Sequence, residues 1–222
     1  MTVLVLLGAP GAGKGTQAEV LSEKLGIPHV ATGDLFRAAV RDATPIGLEA
    51  RRFMERGQLV PDDITIRMLL ERLSKPDAAS GAILDGFPRN GAQAGTLDTA
   101  LAQDGGRVDR AVLIEVPDEE LIRRMSGRWV CEEAGHVYNE STNPPLQAGI
   151  CDIDGSPLIQ REDDKAETIR ARLDLQLASL REVIDHYAAT GNLRRVDGMQ
   201  AIDDVSEDLL AEVRDLMTRG DA

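Results

Sequence analysis

Residues 8–16 read Gly-Ala-Pro-Gly-Ala-Gly-Lys-Gly-Thr and directly follow the apolar run Val3–Leu7. Gly8, Gly11, Gly13 and Gly15 let backbone N–H groups converge without Cβ clashes. Such groups at a helix N-terminus form a nest for anions, and Lys14 stands where it would reach terminal phosphates. A strand, a phosphate loop and a helix in that order commit the chain to an α/β fold. Phosphate loops commonly place Ser or Thr directly after the lysine to hold Mg²⁺. Here that position is Gly15, and the hydroxyl arrives one residue later at Thr16.

The rest of the chain has the same rhythm. Apolar runs at 2–7, 28–31, 82–85, 110–116 and 193–196 read as five strands. Helical periodicity is expected at 14–25, 35–42, 45–56, 62–73, 90–103, 118–127, 165–189 and 202–217. Alternation of this kind predicts a parallel sheet with helices on both faces, a three-layer P-loop core. The near-continuous apolar character of the strands agrees, because both sheet faces are then covered. Two segments interrupt it. Residues 32–60 are all helical, and residues 128–163 lack helical periodicity and are rich in Gly and Pro, as a small β insertion would be. An insertion of that length inside a compact domain usually carries function, for example as a lid. Both are expected to leave the core at the carboxyl ends of its strands, where such sheets bind ligands.

Net charge is −13, which argues against a broad surface for nucleic acid or anionic membrane. No run of about 18 apolar residues suggests a membrane span, and the N-terminus lacks a signal-peptide layout; cytoplasmic residence is the expectation. Basic residues are unevenly chosen, with 21 Arg against four Lys. Genome composition explains such a bias as well as function does, but arginine also binds phosphate in bidentate fashion. Cys131 and Cys151, the two cysteines, both fall in 128–163. In a reducing compartment that pairing suggests a metal site more than a disulfide.

Two further motifs follow strands. In Ala31–Arg37, Thr32 is expected as a helix N-cap, with Arg37 one turn on, facing either the cleft or solvent. In Leu84–Arg89, Asp85 ends a strand, where a carboxylate either caps a helix or holds a metal-bound water beside the phosphate loop. Gly86 and Pro88 shape the turn, and Arg89 and Gln93 follow on the next helix.

GAPGAGKGTQ, TGDLFR, GQLVPD and LDGFPRN together, with QREDD at 160–164 and ETIRARL at 167–173, resemble adenylate kinase in its long-lid form, over essentially the whole chain. The resemblance implies a core of 1–31, 61–127 and 164–222, an AMP-binding insertion at 32–60 and a lid at 128–163. It implies ATP contacts from Gly11, Ala12, Gly13, Lys14, Gly15, Thr16, Arg128, Val137 and Tyr138, and a backbone carbonyl at Gln200 for the adenine. It places Thr32, Gly33, Arg37, Gln58, Leu59, Val60, Gly86, Phe87, Pro88, Arg89 and Gln93 around AMP. Arg124, Arg161 and Arg172 would converge on the phosphates. Gln93 would read the adenine edge, since a side-chain amide both donates and accepts. Mg²⁺ would bridge the two nucleotides, largely water-ligated with Asp85 nearby, so Gly15 in place of Ser or Thr costs no metal ligand.

Metal-bearing lids of this family carry CxxC and then CxxC or CxxD. Here Cys131, Cys151 and Asp154 match, but the second cysteine's place is Ala134, which cannot ligate. His136, two residues on, completes a candidate Zn²⁺ set that also suits Co²⁺ or Fe²⁺. Glu132 or Glu133 replacing His136, a metal-free lid and a Cys131–Cys151 disulfide are the alternatives.

The implied reaction, ATP + AMP = 2 ADP, needs in-line positioning and charge neutralisation. The acceptor phosphate is already anionic, so no general base is required. Another nucleoside monophosphate kinase, using GTP, UMP or CMP, is the sibling reading, and a P-loop ATPase or switch protein the distant one. The resemblance also implies a monomer.

Overall fold

Val3, Leu4, Val5, Leu6 and Leu7 are all buried, so β1 (Thr2–Leu7) has no solvent face. In the computed structural model, which describes residues 1–55, 58, 60–103, 105–161, 164 and 166–217 with the side chains of 166, 167, 215 and 217 excepted, β1 is the middle of a five-stranded parallel sheet. Its partners are β2 (His29–Ala31), β3 (Gly81–Asp85), β4 (Arg110–Glu115) and β8 (Leu193–Asp197), in the order β2-β3-β1-β4-β8. Leu4 and Leu6 point into one apolar cluster. There they meet α1 (Lys14–Leu25), α6 (Asp118–Ser126), α7 (Ala166–Ala189) and α8 (Ile202–Met217). Val3, Val5 and Leu7 point the other way, against α4 (Asp62–Leu73), α5 (Gly91–Gln103) and the second half of α7. Each such side chain contributes about 1.5–3 kcal/mol by leaving water, before chain entropy is counted. The period-2 alternation of a strand therefore fills two cores at once.

The strand order reverses at β1: the chain fills the β3–β2 side first and then crosses to β4. A sheet of this kind opens a crevice beyond the carboxyl ends of its strands at that switch point, which here is where the glycine loop leaves β1.

The 32–60 segment forms α2 (Thr32–Arg41) and α3 (Pro45–Met54). Thr44 caps α3 by accepting from Gly47 N at 3.1 Å, and Pro45 supplies a ready-made first turn. The helices cross so closely that a Cβ on Gly47 would lie 2.0 Å from Ala39 O; only glycine fits. Phe36, Ala50, Val60, Ile64 and Met68 form an apolar cluster shared with α4.

Residues 128–163 hold β5 (Arg128–Cys131), β6 (Val137–Asn139) and β7 (Leu158–Ile159) in an antiparallel sheet, order β6-β5-β7. Cys131, Tyr138, Cys151 and Leu158 make a separate small core, with Trp129 against it. Among the described residues, no helix is long and apolar enough to cross a membrane.

Thr32 departs from the sequence expectation. Ala31 occupies the cap position of α2, and the Thr32 hydroxyl donates to Gly86 O at 3.0 Å instead of accepting from the first turn. It pins the turn after β3 to the start of α2.

Candidate active site

A cleft of about 670 Å³ opens at the switch point, floored by Gly8–Gln17. Gly13 is left-handed (φ 94°) and caps the start of α1, so the loop's N–H groups lie at the positive end of that helix. Gly11 has φ 85°, and a Cβ there would lie 2.9 Å from Met125 Cγ and 3.0 Å from Leu121 O. Only glycine gives the loop this path against α6. Lys14 Nζ donates to Gly8 O at 2.9 Å and Ala9 O at 3.0 Å. Burial, with the charges of Arg89, Arg172 and Arg128, lowers its pKa to about 8, although Asp85 opposes them. A cation held at this cost needs a counter-anion, which phosphate oxygens would supply.

Gly11, Ala12, Gly13, Gly15 and Thr16 line the cleft with Lys14. Asp85 closes one side: a Cβ on Gly15 would lie 3.6 Å from its Oδ2. Burial alone would raise the Asp85 carboxyl, but a hydrogen bond from His29 and the charge of Lys14 outweigh it and hold it below its usual value. His29, at the start of β2, meets Asp85 through Nε2 at 3.4 Å and lines the same cleft. Burial would lower the imidazole, yet the hydrogen bond and charge of Asp85 raise it. Sequence reasoning assigned His29 no role. A histidine opening an apolar run carries no local mark of a partner 56 positions away.

Six arginines converge. Arg89, Arg124, Arg128, Arg161 and Arg172 line the cleft, and so does Arg37 from α2. Arg161 shows the crowding, since burial and the like charges of Arg37 and Arg128 lower it to about 10. Crowding like-charged guanidiniums demands structural support, and the chain supplies it. Asp164, fully buried, accepts from Arg128 Nε at 2.6 Å, from Arg128 Nη2, and from Arg172 Nη1 at 3.2 Å. Arg89 Nε donates to Gly86 O at 2.7 Å. Arg37 is turned to Asp34 on its own helix, Nε to Oδ1 at 3.1 Å. Arg124 bridges Glu120 Oε1 (2.7 Å) and Gly198 O (2.9 Å), fastening α6 to the loop that carries Gln200. Gln17 holds that loop from below, donating to Ile202 O at 2.9 Å while Ser206 Oγ donates to its Oε1 at 2.7 Å. Gln200, Val137 and Tyr138 all face the cleft. Asp164 was missed, although it closes the QREDD motif, because its role appears only when 128 and 164 are brought together.

The other expected group is divided. Gly33, Arg37, Gly86, Pro88 and Arg89 line the cleft; Thr32, Gln58, Val60, Phe87 and Gln93 do not. Leu59 lies outside the described residues. Phe87 is buried in the core, and the Phe87–Pro88 peptide is cis. Gln93, 1% exposed, has its amide engaged on both sides: Oε1 accepts from Arg89 N at 2.7 Å and Nε2 donates to Asp62 Oδ1 at 2.6 Å.

In the small β sheet, one ligand atom each from Cys131, His136, Cys151 and Asp154 lies within 4.8 Å of the others. Asp154 Oδ2 is 3.1 Å from Cys131 Sγ and 3.5 Å from His136 Nδ1, which is 3.3 Å from Cys151 Sγ. Tetrahedral edges for the 2.0–2.3 Å bonds of zinc to these donors are about 3.3–3.8 Å, close to these spacings. Both cysteines are free thiols. Ser156 Oγ, 3.0 Å from Cys131 Sγ, and Tyr138 Oη, 3.5 Å from Cys151 Sγ, surround the group. Glu132 and Glu133 are exposed and lie outside it.

With this geometry, the chain matches the family model described as adenylate kinase over residues 6–192. A curated adenylate kinase of Exiguobacterium sibiricum is 50% identical over 94% of this chain and 97% of its own. One from Brevibacillus brevis is 47% identical over 96% and 98%. A third, from Carboxydothermus hydrogenoformans, is 50% identical over 91% and 94%.

Proposed function

The chain belongs to the adenylate kinase family and is an ATP:AMP phosphotransferase, and we propose the following assignment of its residues to the reaction ATP + AMP = 2 ADP. One observation carries it: Lys14 and the guanidiniums of Arg37, Arg89, Arg124, Arg128, Arg161 and Arg172 all face a single cleft at the glycine loop. Two polyphosphates can be held end to end only against strong mutual repulsion, and fixed cations in a partly desolvated cleft supply that attraction.

In this reading the ATP phosphates sit on the N–H groups of Gly11–Thr16. Lys14 exchanges the Gly8 and Ala9 carbonyls for phosphate oxygens, which restores the charge that burial penalises. Val137, Tyr138 and the Gln200 backbone flank the nucleoside. AMP lies on the opposite side, its phosphate between Arg37 and Arg89, with Gly33, Gly86 and Pro88 beneath it. Arg37 leaves Asp34 to do this. Thr32, Gln58, Val60 and Phe87 stand behind the base, and Gln93 meets its edge. Arg128, Arg161 and Arg172 neutralise the transferring phosphoryl group. Mg²⁺ carried with the nucleotides offsets phosphate charge, and Asp85, kept ionised by His29 and Lys14, fits a role holding its waters. Water is the competing acceptor, so closure of a lid over the cleft excludes hydrolysis.

The division into core, 32–60 and 128–163 is part of the same proposal, supported by the separate apolar clusters of the two insertions. The active unit is read as a single chain, because one chain supplies all these groups. Two free thiols suit a reducing compartment such as the cytoplasm.

Cys131, His136, Cys151 and Asp154 are assigned to a structural Zn²⁺, with Co²⁺ and Fe²⁺ acceptable to the same donors. Such an ion would tie the two halves of a lid whose own core is only a handful of residues. Chelator-free protein should carry about one metal per chain, and a chelator should lower its melting temperature. No bound metal with two titratable thiols refutes this assignment.

A coupled assay tests the function: turnover should require both ATP and AMP. Equal hydrolysis of ATP without AMP contradicts it, and turnover preferring GTP, UMP or CMP would move the specificity assignment.

A further inference from the structure

The buried amide of Gln93 has a partner that the reaction as described leaves unused. Asp62, the first residue of α4, accepts from Gln93 Nε2 at 2.6 Å. It also accepts from Asn90 Nδ2, at 3.3 Å through Oδ1 and 3.2 Å through Oδ2. Asn90 in turn accepts from Gln93 N at 2.8 Å through its own Oδ1, so its amide cannot rotate without losing both bonds. On the other side, Gln93 Oε1 accepts from Arg89 N at 2.7 Å.

This arrangement admits one orientation of the Gln93 amide. Only oxygen can accept from the Arg89 N–H, and only the NH₂ can donate to the carboxylate. A flipped amide would set two acceptors against each other at Asp62 and two donors at Arg89. Each of those is a part-buried unsatisfied pair, so both the attraction and the repulsion favour one state. Among the described residues, one Nε2 proton and one Oε1 lone pair then have no further partner.

Those two positions have a chemical meaning if Gln93 meets the base of AMP, the reading on which this inference rests. The adenine edge offers an acceptor at N1 and a donor at N6; hypoxanthine and guanine reverse both. An amide free to flip accommodates either edge, whereas an amide locked with its proton and lone pair in this order matches adenine alone.

We propose that Asp62 is a positioning residue for base selectivity: by locking the Gln93 amide it makes the acceptor site reject 6-oxopurine monophosphates. It touches no substrate itself. The lock would be invisible in a comparison of AMP affinities alone and appears as a ratio.

Steady-state kinetics would measure the KM for AMP and the inhibition constant of IMP against AMP, at saturating MgATP, for the wild type and five variants. Loss of a charge-assisted hydrogen bond that fixes the amide should cut the IMP-over-AMP ratio about tenfold or more in Asp62→Leu. Asp62→Ser should do the same: its hydroxyl still suits the start of α4 but is too short to reach the amide. Asp62→Asn, whose carbonyl can still accept, should stay within about threefold of wild type. The KM for MgATP is the internal control. In the double variant with Gln93→Leu, the change at 62 should add nothing to the effect of Gln93→Leu alone. An unchanged ratio in Asp62→Leu and Asp62→Ser, or equal weakening of AMP and IMP, overturns the inference while leaving Gln93 facing the base. A wild-type ratio in Gln93→Leu removes the premise itself, and the inference with it.

Discussion

Asp164→Asn probes how the arginines are held. The wild-type carboxylate is fully buried, and the side chains of Arg128 and Arg172 are each 18% exposed. In the variant a neutral amide faces them, and its Nδ2 turns a donor toward a donor. Breaking a buried ion pair by neutralising one partner costs about 3–5 kcal/mol. The arginines retain some contact with water, so the lower end, about 3 kcal/mol, is expected. For a chain of 222 residues each kcal/mol moves the melting temperature by about 2–4 °C, which gives a drop of roughly 6–12 °C. The phosphates should then compensate, since their oxygens take over the freed guanidiniums. Differential scanning fluorimetry with and without saturating ADP therefore has two expected results: a low melting temperature in the free variant, and a ligand-induced rise larger than the wild type shows. A free variant within about 1 °C of wild type, or a ligand shift smaller than wild type, would refute this account of Asp164.

Other consequences follow from the same geometry. Lys14, brought down to about 8, is a base whose folded value lies below its usual one. The free enzyme thus loses this charge as pH rises through 8, and kcat/KM for MgATP should decline there while kcat, reporting the phosphate-bound enzyme, stays level to higher pH. A kcat/KM profile flat to pH 9.5 would contradict it. On stability the sign is opposite, because between about 8 and 10.5 the unfolded chain binds more protons at this lysine, so this group's contribution rises with pH. Gly47→Ala must push α3 away from Ala39 O, at about 1–3 kcal/mol of overpacking. Its KM for AMP should rise and its KM for MgATP should not; unchanged melting temperature and kinetics would show that the helix crossing is soft.

Strand positions were legible because burial on both faces leaves apolar runs that hardly depend on context. All five runs became strands of one parallel sheet. The phosphate loop was legible because its glycines are local requirements. Pairings across the chain were not. Arg128 meets Asp164 across 36 positions, His29 meets Asp85 across 56, and Gln93 meets Asp62 across 31. No periodicity connects such residues, so Thr32 was read as a cap when its hydroxyl serves the turn at Gly86. The same holds for Gln93, whose expected partner was a base and whose visible partners are Asp62 and the Arg89 N–H. His136 stands out against this: Cys131, Cys151 and Asp154 follow the lid pattern of the family, His136 could be added from its residue type, and the four do lie together.

The central claim is that fixed cations around one cleft carry the transfer, and Arg89→Ala tests it most directly. Arg89 faces the cleft from the turn after β3 and is not part of either sheet core. Steady-state turnover with MgATP and AMP, measured beside a thermal melt, should show kcat reduced by about 10²–10³-fold or more with the melting temperature nearly unchanged. Near-wild-type turnover in a folded Arg89→Ala protein would contradict the claim.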